Sequence, residues 1–140
     1  MKEEISAKLE MLRKYVTFLK SKRGVTLAEL KRDDVLLAAL ERNLQVALEC
    51  CLEMGEMVIS NEGLRKPDSY RDVIKILGEA GVLEKDFSKR FEPAAGLRNL
   101  LVHNYSEIDA SKIHSFVRNR VGDFDEYARQ IAQHVRGHKK

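Results

Sequence analysis

The chain has 140 residues, 44% hydrophobic and 34% charged, with a net charge of +3 and no tryptophan. That length suits one domain with a core of its own and is short for two. Two prolines leave little turn material for an all-β fold, and no apolar run approaches the length that crosses a bilayer. The opening Met1-Lys2-Glu3-Glu4 carries acids and no apolar stretch follows, so the expectation is a cytoplasmic protein without a membrane partner. The net charge says little, but its distribution says more. Residues 1–32 hold nine Lys/Arg against four acids, and residues 118–140 hold six against three. Such a bias suits a polyanionic partner and equally a solvated face.

In chain order, Ile5, Leu9, Leu12, Val16 and Leu19 repeat at four and three, the stripe of an amphipathic helix. Lys20, Lys22, Arg23 and Gly24 stop it, with cations at the negative end of the helix dipole. Thr26 and Glu29 have capping-box spacing and predict a short helical turn. Asp33 or Asp34 then caps a long helix over about 33–61. There Leu37, Leu40, Leu44, Ala47, Cys51, Met54 and Val58 form one stripe, widened by Leu36, Leu48, Leu52 and Ile59. So broad a face predicts a central helix with several neighbours. Asn61-Glu62-Gly63 ends it.

Asp68 or Ser69 starts a short helix to about Glu79, with Val73, Ile74 and Leu77 inward and Gly81 as its stop. From about Glu84 a further pattern carries Phe87, Phe91, Ala94, Leu97 and Leu101, with Pro93 either kinking the helix or restarting it. A last helix is predicted from about Asp109 to Val135, through Gly122, on Ile113, Val117, Val121, Phe124, Ala128, Ile131 and Val135. The expected fold is all-α: an up-and-down bundle of four main helices plus a short extra helix over 69–80, in a single domain spanning 1–140. The broad face of helix 33–61 and the small residues Ala94-Ala95-Gly96 further suggest a homodimer.

Serine-nucleophile, phosphate-loop, dinucleotide and zinc signatures are absent, so no metal and no cofactor is expected. Cys50 and Cys51 are adjacent, which disfavours a disulfide between them and suggests two buried thiols. His114, His134 and His138 are read as surface histidines, and Tyr70 and Arg71 as packing or capping residues that could line a cleft.

The stretch Gly96-Leu97-Arg98-Asn99-Leu100-Leu101-Val102-His103-Asn104-Tyr105 stands apart. Arginine is a permanent cation whose fork matches phosphate oxygens, and histidine titrates near neutrality. Together they could stabilise charge at a phosphodiester and move a proton at a 2′-hydroxyl or leaving oxygen. Asn99 and His103, four apart, share a face, so the amide could orient the imidazole. Arg98 and His103, five apart, diverge by about 140° on a straight helix. Either the helix unwinds before His103 or a second copy completes the site. By spacing alone, Arg98 could equally be an ion-pairing residue and His103 a helix cap.

These residues resemble the R-x4-H-x-Y form of the R-x4-6-H signature in HepT-like toxins of the HEPN superfamily. The blocks LERNLQVALECCLEMGEMVIS at 40–60, KPDSYRDVIKILGEAGVL at 66–83 and FEPAAGLRNLLVHNYSEID at 91–109 extend the resemblance in order and spacing. It covers nearly the whole chain, less clearly the first 25 residues. It implies a helical, homodimeric, metal-independent endoribonuclease with the motif Arg and His of two subunits facing one cleft. On that resemblance Arg98 binds the scissile phosphate of an RNA substrate, His103 acts as general acid or base, and Asn99 supports them. Tyr105 matches the tyrosine that a cognate minimal nucleotidyltransferase antitoxin can modify with AMP. The alternative is a catalytically silent helper that binds nucleotide or docks a nucleotidyltransferase.

Overall fold

A computed structural model of the chain describes residues 1–103 and 110–137. Seven helices run in order: α1 (Lys2–Ser21), α2 (Leu27–Arg32), α3 (Asp34–Asn61), α4 (Tyr70–Glu79), α5 (Lys85–His103), α6 (Ala110–Asn119) and α7 (Gly122–Gly137). No strand occurs among the described residues, and none of their helices is long and apolar enough to cross a membrane.

Helix ends follow local chemistry. Thr26 accepts from the Glu29 N–H while the Glu29 carboxylate accepts from the Thr26 N–H, and this reciprocal pair opens α2. Asp33 and Ser69 accept from the N–H groups of Leu36 and Asp72 to start α3 and α4. Gly63 and Gly81 sit at φ of 64° and 79° just beyond α3 and α4, where a left-handed residue closes a helix at little steric cost.

One expectation is corrected here, and one ground for another is removed. The last helix is not continuous: Arg120 and Val121 form a turn, and Gly122 begins α7 instead of lying within one long helix. Asp123 explains the break, since its N–H bonds the Arg120 carbonyl and its carboxylate pairs with Arg90 and Arg120. The apolar stripe survives because Val117, Val121, Phe124 and Ile131 still face the core. The broad apolar face is no ground for a dimer either. α3 packs against every other helix of its own chain, and Ala94 and Ala95 are buried within it. Of the large apolar side chains on α3, only Val35 stands open.

Pro93 neither ends nor restarts α5, which continues through it. The proline is exposed, as is Lys89, whose carbonyl loses its helical partner there and can turn to water. Phe87 and Phe91 stack at 5.3 Å, and Phe91 meets Tyr127 at 5.2 Å and Phe124 at 6.2 Å, which seats the first half of α5 on α7. Tyr127 donates from its buried hydroxyl to the Cys51 carbonyl at 2.5 Å, joining α7 to α3.

The α4–α5 contact sets the height of α5 in the bundle. Buried Ser88 donates to the Ile74 carbonyl at 2.9 Å, and a Cβ at Gly78 would stand 2.3 Å from Ser88 Oγ. The hydroxyl cannot withdraw without losing that bond. Gly78→Ala is therefore expected to lower unfolding free energy by about 1–3 kcal/mol, the usual range for overpacking. Urea denaturation checks this, with Gly78→Ala/Ser88→Ala expected to recover only a small part of the loss, because the added carbon would still stand 2.6 Å from the Cβ of residue 88.

Candidate active site

Three helices meet around Arg98. Gly78 against Ser88 fixes α4 and α5 as antiparallel neighbours, which carries Tyr70, at the start of α4, back to Arg98 in the second half of α5. The Arg98 guanidinium lies 4.4 Å from the Tyr70 ring centroid, a cation–π contact. From α3, Glu49 accepts from Arg98 Nη2 at 3.3 Å, and Gln45, one turn earlier, donates to the same carboxylate oxygen at 3.3 Å. Asn99 accepts from Arg98 Nη1 at 3.4 Å. The Arg98 side chain is 16% exposed, and its buried Nε has no partner among the described residues. Arg98 is thus a held cation with one orphan donor.

α5 remains helical through position 103. Unwinding before His103, one of the two ways of reconciling the motif with a single helix, is therefore removed. Positions 98 and 103 diverge by about 140° around one continuous axis. Arg98 and Asn99 are brought together, with Asn99 exposed and bonded to the arginine. Tyr105 lies outside the described residues, as does His138.

The remaining histidines depart from the surface reading. His114 donates from Nε2 to the Val25 carbonyl at 3.0 Å and ties α6 to the loop after α1. His134 Nε2 stands 2.6 Å from Glu62 Oε2, both side chains largely buried, linking α7 to the end of α3. Cys50 and Cys51 are buried free thiols, as expected. Burial pushes both thiols above the ordinary range, Cys51 furthest, which disfavours them as nucleophiles. Among the described residues no group of three or more His, Cys, Asp or Glu is placed to hold a metal ion. A concavity of about 580 Å³ lies on another face of α5 beside Arg90, Leu97, Phe116 and Arg120, and Arg98 does not line it.

Glu49 and Gln45 were missed in the sequence. The available signal was a polar pair four residues apart in the middle of a helix with a broad apolar face, at spacing that places both on one side. Nothing local could pair them with an arginine 49 positions away.

Fold and motif together define an all-helical protein of the HEPN superfamily, with an R-x4-H sequence on its fifth helix. The chain belongs to the Ribonuclease HepT-like family, which it matches over residues 5–131. It is 24% identical to the tRNA nuclease HepT of Aphanizomenon flos-aquae over 131 residues, covering 94% of this chain and 89% of that protein. It is 26% identical to the mRNA nuclease HepT of Shewanella oneidensis over 100 residues, 71% of this chain and 75% of that one. Among solved structures, the tri-AMPylated Shewanella oneidensis HEPN toxin in complex with MNT antitoxin superposes with a TM-score of 0.84. That match has 22% identity over 95% of this chain and 99% of that one. YutE from Bacillus subtilis, a cytosolic protein of unknown function, superposes with a TM-score of 0.86 at 18% identity over 98% and 92%. At those identities the two structures speak for a shared fold.

Proposed function

We propose that this protein is a ribonuclease toxin that cleaves RNA internally without a metal, neutralised by a minimal nucleotidyltransferase antitoxin. One observation carries the reading within the family: Arg98 is held on a helix that stays continuous to His103. Because the two positions diverge, an arginine and a histidine meet at one phosphate when two copies place their α5 helices across a shared cleft. The active form is then a homodimer in the cytoplasm.

In that cleft Arg98 stabilises the negative charge that builds on the phosphorus oxygens. The RNA phosphate takes the place of the long Asn99 contact on Nη1, while Glu49 and Tyr70 keep the guanidinium in its plane. His103 moves the proton, as general base at the 2′-hydroxyl or general acid at the leaving oxygen. Asn99, four residues before His103, supports its orientation. Tyr105, two residues beyond, is the site that the antitoxin modifies with AMP.

The second reading is a silent helper that binds nucleotide or docks a nucleotidyltransferase. The Arg98–Glu49 pair favours it, because a largely buried arginine is already neutralised. Incubating purified protein with total RNA in EDTA separates the two. The ribonuclease reading expects cleavage that persists with chelator, and a dimer by light scattering at micromolar concentration. Intact RNA would establish the helper, and active protein that is wholly monomeric would remove the shared cleft.

A further inference from the structure

Arg98 is not the only arginine brought to α5. Arg71, in the first turn of α4, lays its guanidinium over Gly96: a Cβ there would stand 3.2 Å from Arg71 Nη2. Any larger side chain at 96 would occupy the place the guanidinium holds. Arg71 is exposed, and no carboxylate among the described residues pairs with it. Asp72 and Glu79 on the same helix are engaged by Arg65.

The face on which Arg71 sits decides its use. Positions 96 and 103 are seven apart, which returns a helix to within about 20° of the same direction, roughly 10 Å further along the axis. Position 99 falls between them, and Asn99 is exposed. The face of α5 that carries position 103 therefore carries an open arginine about two turns earlier, whereas Arg98 points about 140° away. A strand of RNA that presents its scissile phosphate at position 103 runs past Arg71 if it follows that face.

We propose that Arg71 is a second RNA-backbone contact: seated on Gly96, it binds a phosphate flanking the scissile one in a single-stranded polyribonucleotide. The inference rests on the ribonuclease reading and adds to it a means of gripping substrate. Arg71 contributes an exposed cation, unpaired among the described residues, with a planar fork suited to phosphate oxygens. It carries no sequence information, so its effect is uniform across RNA sequences.

The test measures binding of a single-stranded 2′-O-methyl oligonucleotide, which lacks the 2′-hydroxyl nucleophile, by fluorescence anisotropy over a range of potassium chloride concentrations. Arg71→Ala is expected to weaken binding about tenfold at low salt and to flatten the plot of log affinity against log salt by about 0.7, one single-strand phosphate contact. Arg71→Lys keeps the charge and is expected to restore the slope and most of the affinity. Lys75→Ala, which removes an exposed cation one turn further along α4, is the control and should leave the slope unchanged. If the unaltered protein binds and Arg71→Ala keeps its slope, or if Lys75→Ala loses as much, the inference fails and the ribonuclease reading stands. If the unaltered protein neither binds the oligonucleotide nor cleaves RNA, both fail together.

Discussion

His103→Ala is expected to lower RNA cleavage by about 10²–10⁴-fold while leaving the protein folded, because it removes the group proposed to carry the proton. Arg98→Ala is expected to lower cleavage by about 10²–10³-fold, the cost of one charge-stabilising donor at a phosphoryl centre. The two variants should differ in stability. Arg98 is 16% exposed and is tied to Glu49, Asn99 and Tyr70, so its removal leaves the Glu49 carboxylate with Gln45 alone. A loss of about 1–2 kcal/mol is expected for Arg98→Ala, small for a buried pair because Glu49 is still 28% exposed to water. Arg98→Lys separates the two roles. It keeps the charge beside Glu49 and should recover most of the stability, yet it lacks the fork and should leave cleavage low. Single-turnover cleavage rates, read beside thermal denaturation, check both. Full cleavage by His103→Ala would remove the proton-transfer role and with it the nuclease assignment.

Co-expression with a minimal nucleotidyltransferase antitoxin is expected to add mass in units of AMP to the unaltered protein and none to Tyr105→Phe. The modified protein should lose RNA cleavage altogether. The reason is local. Tyr105 follows His103 by two residues, so an adduct on its hydroxyl lies within reach of the same cleft. Each AMP brings a phosphate that competes for the arginines of α5 and repels the RNA backbone. Intact mass measurement and a cleavage assay on the same sample are sufficient. Equal labelling of Tyr105→Phe would place the modified residue elsewhere. Absence of label with toxicity still suppressed would assign the antitoxin to inhibition by binding alone.

Much of this protein was determined by sequence alone, through interactions short in range. The stripe in α1, the Thr26–Glu29 box, the caps at Asp33 and Ser69, and the stops at Gly63 and Gly81 involve residues within about one turn of each other, so local chemistry fixes them. The breadth of the apolar face on α3 likewise announced a central helix. The motif Arg98–His103 was legible because its spacing lies within a single helix.

Tertiary structure decided what contacts across the bundle control. Asp123 draws Arg90 of α5 to a turn that periodicity alone reads straight through, since the stripe from Val117 to Ile131 is unaffected by the break. The apolar face that suggested a second copy is satisfied by helices of the same chain, a partition that composition does not reveal. His114 and His134 are taken up by Val25 and Glu62, 89 and 72 residues distant. Arg98 acquires Glu49 and Tyr70, and Arg71 acquires its seat on Gly96, only because Gly78 and Ser88 bring α4 and α5 together at one height. Periodicity tells which side of a helix is buried; packing decides which residue of another helix it meets there.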